Sequence, residues 1–144
     1  MNALLFVPLL LGAAQLKPQE NLAENPSFEA DRNRDGEPDG WQGSAFASPA
    51  RLGWDAQAAR TGTRSVWIAD SLGDGDPKDW KNHTGRWTTG RRPIAPGTEY
   101  TLEVWVKTDA VTGQAYAHLA WQQGTKWLSE TPTERLTGSG DWRR

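Results

Sequence analysis

The sequence predicts an all-β fold, a β-sandwich or jelly roll, on three observations. Where hydrophobic patterning is clear it has period two, the mark of a half-buried strand, and no run sustains the period of 3.6 that a helix needs. Gly occurs 15 times and Pro 9 times in 144 residues, punctuation that suits short strands joined by turns. Nine tryptophans supply large apolar rings to a chain that is only 36% hydrophobic, which argues against disorder. The length fits one domain able to bury a real core.

The elements follow in chain order. Residues 3–14, ALLFVPLLLGAA, are apolar and end in small side chains. A spanning helix needs roughly 20 apolar residues, and Pro8 breaks this shorter run. A secretory signal cleaved near Ala14 is expected, with no membrane span and a secreted destination. The n-region holds no Lys or Arg, so the alternative is a buried apolar strand. Residues 15–20 read as a linker and 21–144 as the folded module.

Weak strand signals fall at 25–29 and 41–46, with a turn-rich stretch at 56–62. A strand is expected at 64–69, with Val66 and Ile68 facing the core and Ser65 and Trp67 facing away. Residues 71–78 read as loop and 85–89 as a weak strand. Pro96-Gly97-Thr98 predicts a turn leading into the clearest strand, 100–106. There Tyr100, Leu102, Val104 and Val106 share one face, and Thr101, Glu103 and Trp105 the other. Residues 109–113 read as a break. A strand over 114–121 then sets Ala117 and Leu119 against Tyr116, His118 and Ala120, and 126–129 is a weak strand. Gly138-Ser139-Gly140-Asp141 reads as a turn, after which Trp142 opens a strand as the sequence stops. No internal repeat or low-complexity tract occurs.

Composition excludes several functions. The chain has no Cys, so disulfide frameworks, cysteine-ligated zinc and thiol catalysis are ruled out. With 16 Lys and Arg against 18 Asp and Glu, the net charge is −2, and no general field for nucleic acid is expected. Among the 144 residues no Gly-x-Ser-x-Gly, His-Glu-x-x-His, phosphate-loop or dinucleotide motif occurs. Glycoside hydrolysis needs two carboxylates flanking one bond. Glu99, Glu103, Glu130 and Glu134 are available, but no spacing pairs them, so surface solvation is their expected role and a non-enzyme is expected. Asn82-His83-Thr84 fits a glycosylation sequon, a pattern common by chance.

Five segments carry a resemblance. Asn21-Leu22-Ala23-Glu24-Asn25-Pro26-Ser27-Phe28-Glu29 is followed by Asp39-Gly40-Trp41, then Arg60-Thr61-Gly62-Thr63-Arg64-Ser65. Pro96-Gly97-Thr98-Glu99-Tyr100-Thr101-Leu102 with Trp105-Val106-Lys107 comes next, and Gly140-Asp141-Trp142 last. In this order, over 21–144, they resemble the CenC-like carbohydrate-binding modules. The resemblance implies a galactose-binding-like jelly roll. It also implies a non-catalytic role in holding a secreted glycoside hydrolase, or a cell-surface protein, on polysaccharide. Family members continue past the final Trp with further strands and an acidic closing segment. Those are missing from the 144 residues, so the implied sandwich is expected to lack its last strands and expose sheet edges.

Sugars present apolar C–H faces and polar rims, so a tryptophan ring with hydrogen-bonding neighbours suits them. Alternation makes Trp67 and Trp105 the first candidates, with Tyr116 and His118 beside them and Glu103 or Gln122 as hydroxyl partners. The competing reading of any one tryptophan is core filler. Trp54, Trp80, Trp87 and Trp127 fall in or near expected loops, where a rim cleft or loop anchoring would employ them. Asp31, Asn33 and Asp35, with Gly36 following, space oxygens as in a calcium loop. Gln42 stands where an EF-hand needs Glu, and an Asx-rich turn explains the same residues. The resemblance implies a different structural calcium, with Glu29 as a ligand and a closing-strand Asp that these residues do not include. No cofactor is required for binding. The alternative function is a jelly-roll domain for protein interaction or adhesion.

Overall fold

The structure, a computed structural model, describes residues 21–46, 50–69 and 84–144. The expected signal, the 71–78 loop, Trp80 and the sequon asparagine lie outside these residues. Among the described residues every regular element is a strand. They are β1 (Trp41–Phe46), β2 (Arg51–Asp55), β3 (Ser65–Ala69), β4 (Thr84–Thr89), β5 (Val106–Ala115), β6 (His118–Gln123), β7 (Lys126–Pro132) and β8 (Leu136–Arg143).

All pairing is antiparallel: β1 with β4, β2 with β3, β5 with β8, and β6 with β7. The outer pair β1–β4 encloses the inner pair β2–β3 in sequence, and β5–β8 encloses β6–β7 in the same way. One nesting therefore occurs twice in a chain without sequence repeat. The all-β class is as expected, and the arrangement is consistent with a sandwich.

Residues 25–29 do not form the expected strand. Asn25 and Phe28 have φ of 45° and 61°, which a strand excludes. Asn25 organises the turn instead. Its Nδ2 donates to the carbonyls of Ala30 at 2.9 Å and Asp39 at 3.3 Å, while its Oδ1 accepts from Ala30 N at 3.2 Å. An asparagine side chain thus stands in for a paired strand, as Asx turns do. Beside it, Phe28 packs on Trp41 with ring centroids 4.8 Å apart. Trp41 Nε1 donates to Glu24 O at 2.9 Å.

The longest expected strand is displaced. Residues 100–105 keep the predicted alternation, with Tyr100, Leu102 and Val104 half-buried and Thr101, Glu103 and Trp105 exposed, but make no ladder. The ladder begins at Val106 and runs through the expected break at 109–113. It also takes in the expected turn at 138–141, because β8 pairs Gly138 with Val111 and Gly140 with Thr108. The register of β5–β8 shifts three times, Ala110 has φ 49° and Gly138 φ 68°. The turn-type residues serve bulges here, which also need left-handed backbone.

The strand expected over 114–121 is broken, since β5 ends at Ala115, residues 116–117 lie outside any strand and β6 begins at His118, but the predicted facing holds. Ala117, Leu119 and Trp121 are half-buried while Tyr116, His118 and Ala120 are exposed. A two-residue turn, Gly124-Thr125, joins β6 to β7. Gly124 at φ 59° takes the first central position, where a II′ hairpin favours glycine.

Residues 51–55, which drew no strand assignment from their sequence, form β2 with Gly53 at the centre. Its partner across the ladder is Trp67, and a Cβ at Gly53 would collide with that indole. Gly43 likewise faces Trp87, whose ring carbons come within 3.2–3.4 Å of a Cβ built there. In both ribbons an indole lies on a glycine and covers the gap left by the missing side chain. The two ribbons meet where Trp87 Nε1 donates to Trp67 O at 3.2 Å. Ile68 Cγ2 lies over Gly85, 2.5 Å from a Cβ built there. The facing expected for this strand is not what is found: Ile68, expected in the core, is 44% exposed, whereas Trp67, expected to face away, is half-buried like Val66.

The expected core is small among the described residues. Leu136 is the buried hydrophobic residue, and Pro38 and Thr108 are also buried. Glycine pedestals, indole stacking and backbone hydrogen bonds do much of the work that leucine and isoleucine do elsewhere.

Candidate functional site: an aromatic row on the second inner hairpin

The β6–β7 hairpin presents an open face, and β7 is exposed along its whole length. Strand alternation puts His118, Ala120 and Gln122 on one side of β6, and Tyr116, just before the strand, sets its ring against His118. On β7 the register pairs Ala120 with Glu130 and Gln122 with Trp127, and a register shift between Trp121 and Gln122 leaves Leu128 as the extra residue. In a regular ladder Trp127 would fall on the side opposite Glu130. The bulge reverses that parity and brings both to the His118 side, a recurrent use of bulges.

The rings form a continuous row. Tyr116 and His118 have centroids 5.8 Å apart, and His118 meets the Trp127 ring edge-on at 6.4 Å. These spacings lie in the range of favourable aromatic contacts. Trp127 is 50% exposed and Tyr116 36%. Glu130 Oε2 lies 3.5 Å from His118 Nδ1. At the far end the Arg135 guanidinium stacks on Tyr116 at 4.6 Å. Arg135 Nη1 donates to Gln114 Oε1 at 2.5 Å. Behind this face, Trp121 Nε1 donates to Thr131 Oγ1 at 2.9 Å, and Thr133 N donates to Ala117 O at 2.8 Å. The hairpin is thus held from its other side.

The remaining candidates stand elsewhere. Trp67 does face away from Ile68, but it lies on Gly53, half-buried, with Nε1 donating to Asp55 Oδ2 at 2.7 Å. Trp105 is 41% exposed, and Arg60 covers one of its faces at 3.4 Å. Glu103 pairs with Arg144. Among the described residues no ring contact joins Trp67 or Trp105 to the row. Trp54 is an anchor: Nε1 donates to Phe28 O at 2.5 Å and Arg64 stacks on the ring at 4.1 Å.

The oxygens read as calcium ligands are engaged within the chain. Asp31 Oδ1 accepts from Asp35 N at 3.1 Å and its Oδ2 from Gly36 N at 3.3 Å. Asn33 Oδ1 accepts from Asp35 N at 3.3 Å, and Asp35 Oδ1 from Glu37 N at 2.9 Å. Glu29 points away from them. It accepts from Thr63 N at 2.8 Å, Thr63 Oγ1 at 2.6 Å and Arg64 N at 2.9 Å. Among the described residues no three His, Asp or Glu side chains are gathered as a metal would need. As placed, Asp31, Asn33 and Asp35 organise one turn and Glu29 another.

Sequence reasoning brought Tyr116, His118 and Gln122 to this face. Trp127 and Glu130, expected near a loop and in solvent, stand on β7 beside His118, and Arg135 joins them through Tyr116. Alternation in β7 alone sets Trp127 against Glu130; only the bulge unites them. No protein-family model, curated protein or solved structure matches the chain.

Proposed function

We propose that this chain is a non-catalytic carbohydrate-binding module of jelly-roll type that takes polysaccharide on the open face of β6–β7. The observation that carries this reading is the exposed row Tyr116–His118–Trp127. Trp127 offers an indole to the apolar face of a sugar ring, and Gln122 and Glu130 offer polar groups to its hydroxyls. His118 and Trp127 sit on the paired strands β6 and β7, and Tyr116 immediately precedes β6. A flat, open face suits a polymer that extends beyond the contact. The doubly nested pairing and the five resembling segments support the jelly-roll assignment. A secreted protein acting on, or displayed beside, polysaccharide is the setting proposed for it, in which the module adds residence on the polymer and no chemistry.

Retention on cellulose, xylan and mixed-linkage β-glucan tests the reading. Trp127→Ala is expected to weaken binding roughly tenfold, equivalent to about 1.4 kcal/mol, and Tyr116→Ala to weaken it less. Unchanged retention in both variants would overturn the choice of face. A protein partner is the second reading, favoured by Leu128 and Ile94, which are 53% and 48% exposed. It predicts no retention on any glycan.

A further inference from the structure

Resting on that reading, we infer that the Arg135 end of the row selects an anionic sugar, with the guanidinium taking the carboxylate of a uronic acid residue. The first support is how the arginines are paired. Arg32 lies against Asp39, Arg92 against Glu24 and Arg144 against Glu103. Arg135, like Arg60 and Arg91, has no carboxylate partner among the described residues, and it is the one of the three that lies on the row. Its contacts are a neutral amide, Gln114, and a ring, Tyr116.

The second support is preorganisation. An exposed arginine usually loses rotamer freedom on capturing a ligand. Here stacking on Tyr116 and the bond from Nη1 already fix the guanidinium plane. Its remaining N–H groups can present the paired donors that match a carboxylate and that a lysine lacks.

Position is the third. Contacts run in sequence from Arg135 to Tyr116, His118 and Trp127, at 4.6, 5.8 and 6.4 Å. A chain stacked on Trp127 that follows the row reaches the guanidinium a few sugar units away. Glu130 beside His118 disfavours an anion in the middle of the row, so the acidic unit belongs at the Arg135 end. Arg135 also caps one face of Tyr116, which makes that end a polar terminus and leaves stacking to Trp127.

The test compares alginate, polygalacturonate and glucuronoxylan with the same polymers after carboxyl reduction, alongside the neutral panel above. The acidic form of at least one polymer is expected to bind about tenfold more tightly than its reduced form, with the preference shrinking as salt is raised. Arg135→Gln is expected to remove the preference, Arg135→Lys to restore it in part, and Trp127→Ala to weaken both forms alike. An unchanged thermal midpoint in Arg135→Gln separates ligand recognition from support of the fold. If acidic and reduced forms bind equally to wild type while Trp127→Ala still weakens both, the inference falls and the module stands. If no polymer in either panel is retained, the module reading falls and takes this inference with it.

Discussion

At the residue scale, single polar side chains hold backbone that the ladders do not reach. Asn25 closes one turn, and Glu29 clamps another that is far away in sequence. Three donors hold the Glu29 carboxyl below the ordinary glutamate range: the Thr63 hydroxyl first, then the N–H groups of Thr63 and Arg64. Gly62, at φ 71°, leaves the space that the carboxylate fills. Because the folded form holds the proton more weakly than the unfolded chain, this clamp stabilises the fold above the ordinary glutamate range. Its contribution is lost as the pH falls through the lowered value. Glu29→Gln is therefore expected to melt below wild type at neutral pH, and the gap in thermal midpoint is expected to close as the solution is acidified past the glutamate range. A gap of constant size would show that charge plays no part in the clamp. The engagement of Asp31, Asn33 and Asp35 by backbone N–H groups follows the same economy, since short oxygen-bearing side chains most readily satisfy their own loop.

At the scale of elements, two contacts between tryptophan and glycine set apart the first pair of ribbons. Gly53 has no room for a methyl group beneath Trp67, whereas Gly43 has a tight but passable gap beneath Trp87. Gly53→Ala is expected to cost about 1–3 kcal/mol, the usual penalty of overpacking. Gly43→Ala is expected to stay within about 1 kcal/mol of wild type, because the strand gains from losing a glycine. Urea denaturation of the two variants measures the difference, and equal costs would show that the Trp67 contact is not a tight one. The β6–β7 hairpin works by another device. Its turn is set by Gly124, and its bulge at Leu128 decides which rings share the open face. Period-two alternation marks 118–121 and 126–129 as strand but runs the first back across the break at 116–117, and it cannot show the bulge, since one extra residue leaves no compositional trace. Residues 138–141 misled the reading for a related reason: glycine marks a bulge as readily as a turn.

For the whole molecule, the described residues form four two-stranded ribbons with few buried side chains. A lone two-stranded ribbon is marginal in water, so the ribbons depend on the contacts between them and on the loops that clamp their ends. Thr108 and Leu136, both 6% exposed, lie on β5 and β8. That ribbon is expected to hold the slowest-exchanging amides, with β6–β7 opening more readily because β7 is exposed throughout. Native-state hydrogen exchange measures this order, and slowest exchange in β6–β7 would reverse it. An adaptable exposed hairpin beside a firmer ribbon also suits a binding face, since it leaves aromatic surface accessible without burying the polar groups around it.

The amino-acid sequence by itself determined the all-β class, the inward and outward sides of 100–106 and 114–121, and the placing of Tyr116 and His118 on an exposed side. Each of these follows from local alternation, which depends on a residue and its near neighbours. Tertiary structure decided the rest. It nested the strand pairs, laid Trp67 on Gly53, turned the oxygens of Asp31, Asn33 and Asp35 into their own loop, and brought Trp127 to His118 and Arg135 to Tyr116. Those outcomes depend on register between strands. Register is fixed by pairing energies summed over a whole ladder, and no window of sequence contains that sum.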